Sequence, residues 1–318
     1  MTGPDLSDDV PLLVEQYRIP GLRQIGLMPT TGRNLNAIMV DAQGGRYVLR
    51  CYLRNVDLSR IQFQLDFQEH LLGKGIPTAD IIATKAGERL VNTGQRTWVL
   101  FRHVAGTGYD YANSEQLRNA ALCLADLHEA AEDFAEPAVD DDTIPSLRRW
   151  WTHGAEDLAE LHTMFADRDV AAELAFLDAW LASLTRDFPI EVVDQLPPAW
   201  VHADFHGTNL AFVDDQVTGV FDFDVVHRGY RLEDVAHATY CFAREDATSN
   251  RIRPELAAAF QEHFDLTDLE RAALPAFTVA TQARNAARYR IREREGADPA
   301  AVLRGHVARM RHLCGLAP

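Results

Sequence analysis

The sequence predicts an α+β fold of two unequal lobes: a β-rich N-terminal lobe over residues 1–103 and a mainly helical C-terminal lobe over residues 104–318. Three observations carry this expectation. About five short β-prone runs and one amphipathic stretch fill residues 20–101. Past Val104-Ala105-Gly106-Thr107-Gly108 the apolar positions recur mostly at the helical period, which puts the boundary there. Finally, 318 residues with 47% apolar content can bury a large core and suit two domains or one bilobed unit.

Taking the elements in order, a short helix is expected over residues 12–17. Ala37-Ile38-Met39-Val40 and the run from Arg46 to Leu53 flank Gln43-Gly44-Gly45, so they read as a hairpin. The Gly32 turn ahead of it reads as a plain turn or as a loop whose bare N–H groups lie over phosphates. Arg50 ends the apolar part of the second strand, where a cation reaches either inward to phosphate oxygens or outward to solvent. Residues 57–74 place Ile61, Leu65, Phe67, Leu71 and Leu72 at helical spacing, closed by Gly73 to Gly75 and Pro77. On that helix Gln64, Asp66 and Glu69 are candidate partners for Arg50. Three further strands are expected over residues 79–84, 88–91 and 97–101.

In the second lobe Asn113-Ser114-Glu115 opens a helix carrying Leu117, Ala121, Leu124, Leu127 and His128, the histidine read as a core-edge residue with no partner nearby. Asp140-Asp141-Asp142 is expected in a solvated loop. Helical spacing continues over residues 147–164 and 170–188 until Pro197-Pro198 breaks it, and returns over 232–242, 254–264, 268–294 and 299–313. Arg284, Arg288, Arg290, Arg292 and Arg294 crowd one of these helices; the first, second and fourth share a face that either serves an anionic ligand or pairs with acidic neighbours.

Charge and cysteine content limit the partners. With 31 Lys and Arg against 47 Asp and Glu, the formal charge of −16 argues against nonspecific binding to nucleic acid or anionic lipid. Cys51, Cys123, Cys241 and Cys314 are scattered without CxxC spacing, as in reduced cytoplasmic proteins. No apolar run reaches the roughly 18 to 20 residues that span a membrane, and the first nine residues lack a signal-peptide pattern. A cytoplasmic location without membrane or nucleic-acid partners is therefore expected.

The chemistry concentrates in Trp200-Val201-His202-Ala203-Asp204-Phe205-His206-Gly207-Thr208-Asn209-Leu210 and Gly219-Val220-Phe221-Asp222-Phe223-Asp224. A loop between two buried strands is a rigid platform for reactive groups. Phosphoryl transfer to an alcohol needs alignment and charge neutralisation more than covalent participation. Asp204 suits the hydroxyl, Asn209 offers an amide oxygen to Mg²⁺, and Asp222 supplies a carboxylate to the metal beside the phosphates. His202 then fixes the loop, and His206 touches loop backbone or phosphate. A rival reading aligns His202, Asp204 and His206 on one face of an extended strand as a two-His, one-carboxylate metal site.

His202-x-Asp204-x-His206-x-x-Asn209 followed by Phe221-Asp222-Phe223-Asp224 resembles the signature of the aminoglycoside phosphotransferase and choline kinase-like family, which includes homoserine kinase-type members. Weaker likeness runs through Gly32 to Asn36, Tyr47-Val48-Leu49-Arg50, Gly75-Ile76-Pro77 and Leu127-His128, and Asp234 resembles the acid that anchors the catalytic loop. The resemblance implies a protein kinase-like bilobal fold and an ATP- and Mg²⁺-dependent kinase acting on a hydroxyl of a small molecule: an antibiotic, aminoglycoside, amino-alcohol or amino acid. It further implies Asp204 as catalytic base, Asn209 and Asp222 as Mg²⁺ ligands, Arg50 in place of the phosphate-contacting lysine, and backbone groups of Arg102 and Val104 against adenine. The family's glutamate partner is absent, with Asp66 at the best-matching position. A peptide Ser/Thr kinase of a natural-product pathway and a nucleotide-binding pseudokinase are the alternatives.

Overall fold

The computed structural model describes residues 9–28, 34–52, 57–94, 96–135, 146–247, 249–287 and 298–316. The Gly32 turn, the acidic run at Asp140, and Arg288, Arg290, Arg292 and Arg294 lie outside the described residues. The chain opens with α1 (Asp9–Val14) and β1 (Arg23–Leu27), followed by β2 (Asn34–Val40) and β3 (Arg46–Tyr52). The expected hairpin forms in the register Ala37 to Leu49, and the Asp41 carboxylate accepts from the Gln43 and Gly45 N–H groups to close its turn. α1 starts three residues ahead of the expected helix.

After α2 (Leu58–Gly73) come β4 (Ile81–Ile82), β5 (Leu90–Asn92) and β6 (Thr97–Arg102). The antiparallel sheet runs β1-β2-β3-β6-β4, with β5 also on β6. It has six strands rather than five: β1 escaped the sequence reading because its Ile25 and Leu27 are exposed and Gly26 sits at a register shift, leaving no apolar face to detect. One sheet face buries Leu35, Met39, Leu49 and Trp98 with Leu13 of α1; the other packs Tyr52 and Val99 on Ile61 and Leu65 of α2.

α2 fits its expected span, with Asp57 accepting from the Ser59 N–H as N-cap and Lys74 closing it. Its apolar residues divide between lobes. Ile61 and Leu65 face the sheet, whereas Phe63, Phe67 and Leu71 enter the core of the helical lobe beside Trp200 and Phe223. Burying both faces makes α2 a fixed strut between the lobes.

The second lobe contains α3 (Ser114–Ala130), α4 (Arg149–Thr152), α5 (Gly154–Met164), α6 (Ala171–Asp187) and α7 (Ile190–Val193). Asn113 caps α3 by accepting from the Glu115 and Gln116 N–H groups. The helix expected over residues 147–164 is split at His153, and Gly154, which opens α5, lets the Leu181 side chain of α6 approach to 2.9 Å from where a Cβ would stand. Then follow β7 (Pro198–Val201), β8 (Leu210–Val213), β9 (Gln216–Val220), β10 (His227–Tyr230), α8 (Arg231–Phe242), α9 (Pro254–Gln261), α10 (Asp268–Ala287) and α11 (Pro299–Leu313). β8 pairs with β9, and β10 with β7. No helix among the described residues is long and apolar enough to cross a membrane.

The connection between lobes is fixed where β8 meets it. Thr107 and Phe212 exchange two backbone hydrogen bonds of 2.9 Å. Gly106 stands at φ 151°, and a Cβ there would lie 2.8 Å from Ala211 Cβ and 2.9 Å from Phe212 N. That backbone and that contact both demand glycine.

Candidate active site

The loop after β7 leaves regular structure at Ala203, which takes the left-handed φ of 61°, uncommon for a residue with a side chain. Buried groups hold it there. Asp234 of α8 accepts from the His202 N–H through Oδ2 and from the Ala203 N–H through Oδ1, each at 2.7 Å. His128 reaches the same carboxylate, Nε2 to Oδ2 at 3.0 Å, so it does have a partner, supplied from 106 residues away. Burial alone would raise the Asp234 pKa, but the His128 hydrogen bond, the nearby histidines and the Ala203 N–H hold it below the ordinary carboxylate value. From the other side, the buried Arg284 donates Nη2 to the Ala203 carbonyl at 2.9 Å. Its Nη1 lies 3.8 Å from Glu233 Oε2, so of the two readings of Arg284 the pairing with an acidic neighbour holds, and the guanidinium is buried rather than offered to a ligand.

The kink at Ala203 also breaks the alternation needed by the two-His, one-carboxylate reading. His202 is fully buried, its Nε2 donating to the Phe221 carbonyl at 3.0 Å and its Nδ1 accepting from the Asp204 N–H at 3.3 Å. It ties the loop to the segment after β9. His206 points elsewhere, with Nε2 3.6 Å from Asp204 Oδ2 and Nδ1 3.0 Å from Thr208 Oγ1.

Asp204 and Asn209 come together across a single turn of 3₁₀ helix, Gly207–Asn209. The Asn209 amide nitrogen donates to the Asp204 carbonyl at 2.9 Å and approaches its Oδ2 at 3.3 Å. That fixes the amide orientation and leaves its oxygen facing away from Asp204. His237 of α8, absent from the sequence reading, brings Nε2 within 3.9 Å of Asp204 Oδ1. Burial would raise the Asp204 pKa, but the hydrogen bond and charge of His206, with His237 and His202, hold it well below the ordinary value, so the carboxylate is ionised. Burial pushes His237 down to about 3 against the pull of Asp204, so its ring is neutral at pH 7. The only hint of His237 in the sequence is its place three residues after Asp234.

Asp222 follows β9 in the left-handed region, φ 67°, and turns its side chain towards the N-terminal lobe. Arg50 of β3 meets it there, Nη2 to Oδ1 at 2.9 Å, and meets Asp224 Oδ2 at 2.7 Å. The expected pairing of Arg50 with the α2 residues is corrected. Asp66 and Glu69 both bind Arg89, at 2.5 and 2.8 Å, and Gln64 donates to the Asp224 carbonyl. They lie on a face of α2 directed away from, or past, the guanidinium, and sequence spacing could not report it. Asp224 also accepts from Asn34 Nδ2 at 2.7 Å. Burial would lower the Arg50 pKa, but Asp224, Tyr52 and Asp222 raise it above its usual value. Burial is likewise the first cause raising Asp224, with Asp222 adding to it and Arg50 opposing.

Arg102 ends β6 opposite Tyr47, and its N–H donates to the Asp80 carbonyl at 2.8 Å. Its side chain pairs with Asp80 Oδ2 at 3.1 Å on the surface. Val104 lies two residues on, against Gly219 of β9, where a Cβ would be 3.0 Å from its Cγ1. The Phe221 N–H donates to the Asn209 carbonyl at 2.9 Å, which sets the Asp204–Asn209 loop beside the segment that carries Asp222 and its partner Arg50, while Arg102 ends β6 and Val104 follows in the connection between the lobes.

The sequence profile of the phosphotransferase enzyme family, APH, matches residues 31–275. The homoserine kinase of Xanthobacter autotrophicus is 25% identical over 239 residues, 74% of this chain and 71% of that protein. Among solved structures, an amicoumacin kinase in complex with AMP-PNP and Ca²⁺ matches with a TM-score of 0.71 at 15% identity, covering 97% of this chain and 94% of the other. A microcompartment-associated aminopropanol kinase matches with a TM-score of 0.68 at 18% identity, covering 98% of each chain. The α+β, bilobal kinase-like fold expected from the sequence is the fold these structures share with it.

Proposed function

The chain belongs to the phosphotransferase enzyme family, and from that premise we propose that it transfers the γ-phosphoryl group of ATP, with Mg²⁺, to a hydroxyl of a small molecule. The observation that carries this reading is that three segments bring Asp204 and Asn209, Asp222, and Arg50 to adjoining positions between the lobes. Relatives named for homoserine and aminopropanol support a small hydroxyl compound as acceptor.

The residues present fit a hard divalent cation. The Asn209 amide is oriented by Asp204 so that its oxygen is left over, and Asp222 offers a carboxylate that is 40% exposed. One or two protein oxygens completed by phosphates and water is the usual way Mg²⁺ is held beside a nucleotide. Bound there, the cation would neutralise phosphate charge. Asp204, ionised and braced by His206 and Asn209, accepts the hydrogen bond of the acceptor hydroxyl and aims its oxygen at phosphorus. A carboxylate held this acidic is a weak base, so alignment is its main contribution, with the proton passing to it late. Arg50 donates to phosphate oxygens after leaving Asp222 and Asp224. Because the Arg102 N–H already serves Asp80, its carbonyl and the Val104 backbone are the groups left for the adenine edge.

The test is ADP release and product mass with purified protein, Mg²⁺ and ATP, across hydroxy amino acids, amino-alcohols and aminoglycosides. Phosphorylated product from at least one class, abolished in Asp204→Ala, is expected. A folded protein that neither binds ATP nor releases ADP with any of them overturns the reading.

A further inference from the structure

Three arginines reached along α8 from Asp204, namely Arg244, Arg253 and Arg309, have no carboxylate partner among the described residues. His237 faces Asp204, and one turn on Cys241 Sγ lies 3.6 Å from His237 Nε2. Just past the helix end, Arg244 lays its guanidinium over the Tyr240 and Tyr111 rings, 5.7 Å from each centroid, and donates to the Tyr111 hydroxyl at 3.0 Å. Arg253 donates to the Tyr111 carbonyl at 2.5 Å. Arg309 of α11 donates to the Asn250 side-chain oxygen at 3.0 Å.

The groups these three arginines contact are carbonyls, a phenol, an amide and the His306 ring, none of them a carboxylate. Among the described residues, none of the three has a carboxylate within 4 Å, although the chain carries 47 acidic residues. Arg244, Arg253 and Arg309 are each only half-buried. The Tyr240 hydroxyl, close enough to feel both Arg309 and Arg244, is buried and has no hydrogen-bond partner. Burial pushes the Cys241 thiol up to about 12, with Asp204 adding to the rise and Arg244, Arg284 and Arg309 opposing it, and the Arg244 Nε donates to the Cys241 carbonyl at 3.4 Å.

Like charges gathered at a partly desolvated site repel one another, and an anion brought among them relieves that repulsion while gaining charge-assisted hydrogen bonds. The −16 field of the whole chain works against anions at long range, so a local site must be strongly built to take one. Tyr111 also connects the cluster to the catalytic loop. Its ring packs on Tyr109 with centroids 4.9 Å apart, and the Tyr109 N–H donates to the Gly207 carbonyl.

We propose that Arg244 and Arg309, supported by Tyr111 and Tyr240, bind an oxyanion of the acceptor, a carboxylate or a phosphate ester, while its hydroxyl lies at Asp204. This rests on the kinase reading above and narrows its acceptor to hydroxy compounds that carry a negative group. Arg253 braces the Tyr111 backbone from behind, as a positioning residue.

The experiment compares L-homoserine, 4-hydroxybutyrate and 3-aminopropan-1-ol, which differ only in amine and carboxylate, with glycerol 3-phosphate as the phosphate arm. Turnover and calorimetric binding are measured with ADP and Mg²⁺ or ATP and Mg²⁺. A carboxylate or phosphate probe is expected to exceed 3-aminopropan-1-ol at least tenfold in kcat/KM or in affinity. Arg244→Met and, independently, Arg309→Met should raise the KM or Kd of that probe at least tenfold, leave the KM for ATP unchanged, and abolish the preference over 3-aminopropan-1-ol. Thermal melts show that the variants are folded, and Arg244→Lys should recover part of the loss. Which oxyanion wins separates carboxylate from phosphate ester. Equal use of 3-aminopropan-1-ol, an unchanged preference in both variants, or no binding of any oxyanion probe overturns the site. ADP release with 3-aminopropan-1-ol alone would keep the kinase reading and sink this one; oxyanion binding lost in Arg244→Met without ADP release would do the reverse.

Discussion

Arg50 and Asp224 lie 2.7 Å apart, Nη2 to Oδ2, across the cleft between the lobes, with Asp222 held 2.9 Å from the same nitrogen. One guanidinium therefore bridges two carboxylates that would otherwise repel each other. Nucleotide phosphates and a divalent cation entering the cleft would share those partners out, the phosphates taking Arg50 and the cation taking Asp222. Charge-assisted hydrogen bonds of this kind contribute about 1.5–3 kcal/mol each. Arg50→Met is thus expected to weaken ATP binding by roughly ten- to a hundredfold, read by titration with a fluorescent nucleotide; unchanged affinity would remove Arg50 from the phosphate site.

Asp204 and Asp222 should separate kinetically. Asp204 is braced by His206 and Asn209 within the loop, whereas Asp222 faces Arg50 and the cleft. Asp204→Asn is expected to lower kcat by roughly a hundred- to ten-thousandfold while sparing ATP affinity. Asp222→Asn should instead lose Mg²⁺-dependent nucleotide binding. Equal loss of binding in both variants would contradict the division of roles.

Asp234 is a stability residue with a defined pH signature. Its carboxylate serves the His202 and Ala203 N–H groups and His128, and an amide nitrogen in its place would face one of those donors. Asp234→Asn should cost about 1–3 kcal/mol at pH 7, measured by urea unfolding. The folded pKa is depressed below the ordinary 3.8, so the stabilisation is present above that value and is lost as pH falls below it through the folded pKa. The gap between wild type and variant should narrow over that acid range; a gap constant down to the acid transition would disprove the assignment.

His237 acts in the same direction but over a higher pH window. Its folded pKa is pushed down to about 3 by burial, against 6.5 for a free imidazole. Between those values the unfolded chain binds more protons than the folded one, so stability declines as pH drops from 6.5 towards 3. In His237→Leu that decline should be shallower, visible in urea midpoints at pH 7, 6 and 5. Parallel curves for the two proteins would show that His237 does not carry the effect.

Gly106 should tolerate no side chain. At φ 151°, with Ala211 Cβ 2.8 Å from where a Cβ would stand, Gly106→Ala combines backbone strain with overpacking. A loss of at least about 2 kcal/mol is expected from these terms, seen as a lowered urea midpoint, together with a raised KM for ATP because Val104 follows the displacement. Wild-type values on both measurements would mean that the lobe connection yields freely.

The sequence by itself determined the elements whose signal is local. The span of α2 could be read from its apolar spacing and its Asp57 cap, the β2–β3 hairpin from its Gly-Gly turn, and the reactive loop from the spacing of Asp204, Asn209 and Asp222. These depend on neighbouring residues, and the physics acting over a few residues is written in their order. β1 was missed because an exposed edge strand has no buried face to print a pattern. Only the tertiary structure decided the partners. Arg50 chose Asp222 and Asp224 over Asp66, His128 found Asp234, Arg284 turned inward to Ala203, and His237 joined Asp204. An ion pair or a half-buried hydrogen bond joins side chains brought together by packing, across separations of up to 190 residues here. Its choice is made by which faces the core turns towards each other, and spacing along the chain carries no record of that.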